Sequence, residues 1–182
     1  MQRVFKDKPP RLDVIFQRNN APVYFVTFNT HTRSRLLATP EVHQAFIKYC
    51  RRSADFRIGV GRYSLMPDHV HLFVCFGIGC PSTLGAWVKE LKRELELDRV
   101  LLSSGHRPVA RPDQKHCSFW QPGFNDHLLR SDETYTQKWE YVFQNPVRGG
   151  LVARAQDRPY SGEIIRIDRD VVASAVVSEV VL

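Results

Sequence analysis

Nine residues, MPDHVHLFV (66–74), constrain this chain more than any other stretch. Their apolar, β-branched character calls for a buried strand, and strand alternation sends His69 and His71 to one face while Val70 and Leu72 go to the other. Histidine is a surface or intermediate residue by habit, so a pair of them in so apolar a run needs partners. Two readings follow from the residues alone: half of a metal site, or two half-buried imidazoles satisfied by backbone carbonyls or water. H-x-H is too short a pattern to choose between them.

A second segment, SDETYTQKWEYVFQNPVRGGLV (131–152), predicts a helix. Ser131 is a good N-cap, Asp132 and Glu133 put negative charge in the first turn, and Pro146 with Gly149 and Gly150 ends the run. Tyr135, Trp139 and Val142 recur at i, i+4 and i+7 as its core stripe. Lys138, Tyr141 and Asn145 form a polar stripe beside that core, although Asn145 precedes proline and is thereby biased toward the helix end.

The rest of the chain supplies a frame for these two segments. Alternation predicts strands over Pro22–Thr30, Ile58–Leu65 and His69–Phe76, the last two joined as a hairpin around Met66-Pro67-Asp68. Thr39 caps a helix over Pro40–Ala54, with Val42, Ala45, Phe46 and Tyr49 on its apolar side. The longest helix is expected over Ser82–Leu102, with Leu84, Val88, Leu91 and Leu95 buried and Lys89, Lys92 and Arg93 gathered to one side. Phe119–Gln121 is the expected last strand. The order β-α-β-β-α-β with an added helix predicts an α+β, ferredoxin-like (RRM-like) antiparallel sheet with helices packed on one face.

Composition bounds the partners. With 26 Lys and Arg against 19 Asp and Glu, the net charge of +7 suits a polyanion, and 182 residues suffice for one domain with a substantial core. Cys50, Cys75, Cys80 and Cys117 lack disulfide-framework or zinc spacing and read as reduced thiols of a cytoplasmic protein. The start MQRVFKDKPPRLDVIF is too charged for a signal peptide, and no apolar run reaches the roughly 18 residues that a membrane span needs.

The pairing of MPDHVHLFV with Y-x-x-x-N-P-V-R-x-G-L-V resembles the REP-associated tyrosine transposases, single-tyrosine members of the IS200-like superfamily of HUH single-strand DNA transposases. YFVTFNTHTR (24–33) is similar to that family's first strand, and FWQPGFNDHLLR (119–130) to its W-Q-x-G-F-x-D-H block. The resemblance covers 22–152, between a basic arm at 1–21 and a tail at 153–182. In the tail the pattern departs from the family: Arg158 stands where a tryptophan is usual before P-Y-x-G-E-I, and the apolar VVASAVVSEVVL (171–182) suits an edge strand, a dimer contact or a docked tail.

The resemblance implies an HUH-type, metal-dependent nickase and joiner of single-stranded DNA, cutting at hairpin repeats through a 5′-phosphotyrosine. It implies Tyr141 as nucleophile, with His69, His71 and Asn145 holding Mg²⁺ or Mn²⁺. The residue types suit that chemistry. A cation on a non-bridging oxygen offsets the charge that repels an attacking phenol, whose ordinary pKa is near ~10, and no Walker-type loop is needed because the phosphotyrosine conserves the bond energy. Two imidazoles and an amide oxygen favour Mn²⁺ by ligand type, with zinc as the chemical rival. Lys138, Asp68 and His127 are candidates to support the site, Asp68 by orienting an imidazole. Lys89, Lys92, Arg93, Arg107, Arg111, Lys115 and Arg148 are candidate DNA contacts. The alternative is a binding module that grips hairpin DNA or RNA without turnover. Further expectations are a cytoplasmic, nucleoid-associated protein with no membrane partner, working as a monomer or homodimer.

Overall fold

The computed structural model describes residues 22–104, 118–129 and 132–167. The basic arm at 1–21, the polar loop with Arg107, Arg111 and Lys115, the cap Ser131, Cys117 and the apolar stretch 171–182 lie outside the described residues. The elements run β1 (Val23–Asn29), α1 (Pro40–Arg52), β2 (Ile58–Leu65), β3 (His69–Phe76), α2 (Leu84–Ser104), β4 (Asn125–Leu128), α3 (Asp132–Phe143), α4 (Asn145–Arg148) and β5 (Ser161–Glu163).

Local chemistry sets the helices. Thr39 Oγ1 accepts the Val42 N–H at 3.3 Å, Pro40 opens the first turn, and Val42, Ala45, Phe46 and Cys50 bury the resulting face. Thr83 caps α2 in the same way, accepting the Ala86 N–H at 3.2 Å, so the helix begins at Leu84 rather than at Ser82. Trp87 joins Val88, Leu91 and Leu95 in its buried stripe and donates its indole N–H to Ser53 Oγ at 2.8 Å, tying α2 to the end of α1.

The sheet is antiparallel with order β4-β1-β3-β2-β5, so the ferredoxin-like four-strand pattern holds and a fifth strand extends it beyond β2. The fourth strand is a correction to the sequence reading. Trp120 makes only an isolated bridge to Thr30, because its ring is buried against Phe28 and its indole N–H donates to Lys92 O at 2.9 Å. The strand proper is Asn125–Leu128, whose first three residues are exposed and carry no hydrophobic alternation to betray them.

The two faces of the sheet differ. Val26, Phe28, Val60, Leu65, Val70, Leu72 and Val74 are buried in one core with the apolar residues of α1 and α2. The opposite face carries His69, His71 and Phe73, and α3 crosses there: Phe73 meets the rings of Tyr135 at 4.4 Å and Trp139 at 6.3 Å. Thus α1 and α2 share one face as the pattern predicts, whereas the tyrosine helix takes the histidine side.

Past Val152, where the sequence pattern offers no element, β5 pairs with Arg62–Ser64, and Ile165 donates its N–H to Val60 O at 3.0 Å. Bare glycines on β2 receive this segment. A β-carbon added at Gly59 would meet Ile165 Cδ1 at 2.6 Å and Cys75 Sγ at 2.8 Å, and one at Gly61 would meet Ile167 Cδ1 at 2.6 Å. Among the described residues, no helix is long and apolar enough to cross a membrane, and Cys50, Cys75 and Cys80 are free thiols.

Candidate active site

The register of the central strands assembles the site. Thr27 on β1 and Ser64 on β2 both stand opposite His71, and Asn29 stands opposite His69. With period-two alternation these side chains share one face, so a polar patch forms at one end of an otherwise apolar surface. The two imidazoles lie 4.7 Å apart, centre to centre, at 85° to each other.

Each histidine is oriented through Nδ1. His69 Nδ1 lies 2.6 Å from Asp68 Oδ1, and a carboxylate only accepts, so Nδ1 carries the proton and Nε2 presents its lone pair. The longer 3.3 Å approach of Arg33 to the same nitrogen is therefore an electrostatic contact, since a guanidinium cannot accept that proton. Arg33 also donates to Asp68 Oδ2 and to Asn29 Oδ1, both at 2.7 Å, bracketing the hairpin from outside. His71 Nδ1 lies 2.8 Å from Thr27 Oγ1, and the Phe25 ring stacks on the imidazole at 5.5 Å and 14°.

Burial keeps both imidazoles neutral. His71, 8% exposed, is pushed down to about 3 by desolvation first, with the nearby His69 and Arg33 adding to the effect. Desolvation also lowers His69, against the pull of Asp68. Desolvation would raise Asp68, but its bonds and charge contacts with His69 and Arg33 outweigh this, so its carboxyl lies below the usual value. Neutral imidazoles with anchored Nδ1 atoms are the form in which histidine binds a divalent cation.

The end of the tyrosine helix closes the site. Pro146 has no N–H to continue the α3 ladder, and the chain turns at Gln144 into the short α4, whose first residue is Asn145. The Asn145 amide nitrogen reaches His71 Nε2 at 3.2 Å. Tyr141, 61% exposed, lies one turn earlier with the Arg148 guanidinium 4.1 Å from its ring centre. Arg148 donates to both the Tyr141 carbonyl and Asn145 Oδ1. His69, His71, Asn145, Arg148 and Tyr141 thus form one contact chain. Among the described residues no cluster of three His, Cys, Asp or Glu side chains forms, so a cation here would depend on the Asn145 amide as its third protein donor. Two nitrogen donors and one amide oxygen suit Mn²⁺ by ligand type, and Mg²⁺ there would lean on water and phosphate oxygens.

Other expected site residues fall elsewhere. Lys138 places its ammonium 5.2 Å over the Phe25 ring, so it braces β1. His127 stands opposite Phe25 on the β4 edge, two strands out from the pair. Lys89, Lys92 and Arg93 belong to α2, in the layer behind the sheet. Lys92 turns inward to donate to the carbonyls of Gln121 and Gly123, and Arg93 pairs with Glu90 at 2.7 Å. Thr27 and Arg33 were not foreseen. Thr27 was open to detection, being the hydroxyl of β1 that alternation sets beside the histidine strand. Arg33 was not, since it reaches the site from a left-handed turn, with φ of 52° at Thr32 and 58° at Arg33, that carries no glycine to mark it.

Comparisons with known proteins bear on the family and the fold. No protein-family model matches the chain. It is 24% identical over 148 residues to a protein of Haemophilus influenzae assigned to the REP-associated tyrosine transposases, covering 76% of this chain and 78% of that one. It is 26% identical over 141 residues to the REP-associated tyrosine transposase of Escherichia coli, covering 76% and 74%. Among solved structures it is similar to a REP-associated tyrosine transposase bound to a REP hairpin, with TM-score 0.55, 25% identity, and 77% and 75% of the two chains covered.

Proposed function

Related in sequence and fold to the REP-associated tyrosine transposases, this chain, we propose, is a metal-dependent single-strand DNA endonuclease and strand transferase acting at hairpin repeats. The observation that carries the reading is the contact between Asn145, four residues after Tyr141, and the Nε2 face of His71. It joins the candidate nucleophile's helix to the histidine pair.

In this reading His69 Nε2, His71 Nε2 and the Asn145 amide oxygen hold Mg²⁺ or Mn²⁺. When bound, the cation withdraws charge from a non-bridging phosphate oxygen. Tyr141 Oη forms a bond to phosphorus while the 3′ oxygen leaves. The phenol loses its proton to solvent and the departing oxygen gains one, giving a 5′-phosphotyrosine and a free 3′-OH. Rejoining is the same displacement run with a new 3′-OH, so no nucleotide cofactor is consumed. Asp68 and Thr27 hold the imidazoles in the tautomers that keep Nε2 unprotonated. The exposure of Tyr141 lets a flexible strand reach its hydroxyl.

The test is incubation with Mn²⁺ and labelled single-stranded hairpins from the repeats flanking the gene, followed by denaturing electrophoresis. A protein-linked DNA band that disappears with Tyr141→Phe or with chelator is the expected result. Hairpin binding without adduct or cleavage would favour the binding module instead, and cleavage that survives Tyr141→Phe would indicate water as the nucleophile.

A further inference from the structure

A guanidinium donates hydrogen bonds and never accepts them, and at this site that one-way chemistry orders four side chains in series. Arg148 donates to Asn145 Oδ1, so the amide must turn its oxygen toward Arg148 and its nitrogen toward His71 Nε2, 3.2 Å away. An amide N–H only donates, which makes His71 Nε2 the acceptor. The imidazole proton therefore resides on Nδ1 and is donated to Thr27 Oγ1 at 2.8 Å. Two consequences follow. The Nε2 lone pair that a cation would use is capped by an N–H, and the amide oxygen that a cation would use points away from His71.

We propose that Arg148 is a positioning residue that holds Asn145 in a cation-excluding orientation, and that a divalent cation enters by turning the amide over and displacing Arg148 from Oδ1. This rests on the reading of His69, His71 and Asn145 as a cation site. Arg148 and the cation compete for one oxygen, so each weakens the other's hold by the same factor. The turned amide presents Oδ1 beside His71 Nε2, and the guanidinium keeps its place over the Tyr141 ring through the Tyr141 carbonyl bond. Neighbouring cations do not replace Arg148: the Lys138 ammonium lies over Phe25, and Arg33 is committed to Asp68 and Asn29.

The experiment measures Mn²⁺ binding to the full chain without DNA, by loss of the free-ion paramagnetic resonance signal, in the wild type, Arg148→Met, Arg148→Lys and His71→Ala. Methionine keeps an apolar stem over Tyr141 and removes every donor, and residue 148 is exposed, so the variant is expected to fold. Arg148→Met should bind Mn²⁺ about tenfold more tightly, the size of one charge-assisted hydrogen bond removed from the competing state. Arg148→Lys, with a single ammonium for two acceptors, should fall between. Nitrogen spectra of metal-free protein should show the His71 proton on Nδ1 in the wild type and partly on Nε2 in Arg148→Met. Equal or weaker Mn²⁺ binding by Arg148→Met, with binding still abolished by His71→Ala, would overturn this inference and leave the cation site standing. Mn²⁺ binding indifferent to His71→Ala would overturn both.

Discussion

Acid should destabilise this protein through His71 before its carboxylates are engaged. The imidazole is pushed from 6.5 to about 3 by burial, so as pH falls below about 6.5 the unfolded chain takes up a proton that the folded chain refuses. Stability attributable to His71 is complete above the unfolded pKa, declines as pH drops beneath it, and is fully lost near the folded value. At about 1.4 kcal/mol per pH unit, the decline between pH 7 and pH 5 is about 2 kcal/mol, a sizeable part of the 5–15 kcal/mol typical of a domain. His69 and His43 are also lowered by burial and act with the same sign. Urea unfolding at pH 7, 6 and 5 in the presence of chelator measures the slope, and His71→Gln isolates the contribution. The wild type should lose about 2 kcal/mol more than the variant across that range. Parallel pH dependences would refute the claim that His71 is kept neutral by burial.

Three further outcomes are expected. Gly59→Ala drives a β-carbon between Ile165 and Cys75 and should cost about 1–3 kcal/mol of stability in a denaturant melt, with Ile165→Ala recovering part of it. Asp68→Ala removes the acceptor that fixes the His69 proton on Nδ1 and should weaken Mn²⁺ binding by about 10- to 100-fold in calorimetric titration. Thr39→Ala deletes the cap of α1 and should lower stability by about 1 kcal/mol in thermal melts, without affecting DNA cleavage.

Much of the architecture was legible in the sequence because it follows from periodicity and caps. The β2–β3 hairpin, the Thr39-Pro40 start of α1 and the stripe of α2 are local signals, and each is found in the structure. What escaped was decided by tertiary contacts. Trp120 looked like a strand residue, but it is held by Phe28 and a Lys92 carbonyl, and the true β4 is a polar edge. Lys92 looked like part of a basic surface, yet its ammonium is drawn inward by two carbonyls freed by the turn at Gln121–Gly123. The placement of α3 was only half legible: its apolar stripe announced a buried face, but Phe73 decided which side of the sheet it would bury. In the candidate site, His69, His71, Asn145 and Tyr141 are spaced along the sequence as local pairs. Thr27 and Arg33 arrive from 36 or more residues away, through register and a left-handed turn.

The glycines of β2 carry a consequence for how sequences of this kind can change. Volume at positions 59 and 61 is taken by Ile165 and Ile167, more than 100 residues downstream, and at 59 by Cys75 as well, so these positions are expected to change together. A lineage in which Gly59 or Gly61 acquires a side chain first passes through a crowded intermediate, whereas one in which the isoleucines shrink first leaves only a shallow void. At position 61 the easier order of substitutions is therefore isoleucine before glycine, whereas at position 59 Cys75 must yield as well. Among related chains, small residues at 59 and 61 should be inherited together with large ones at 165 and 167, and the reverse pairing should mark a branch whose C-terminal segment has left the sheet.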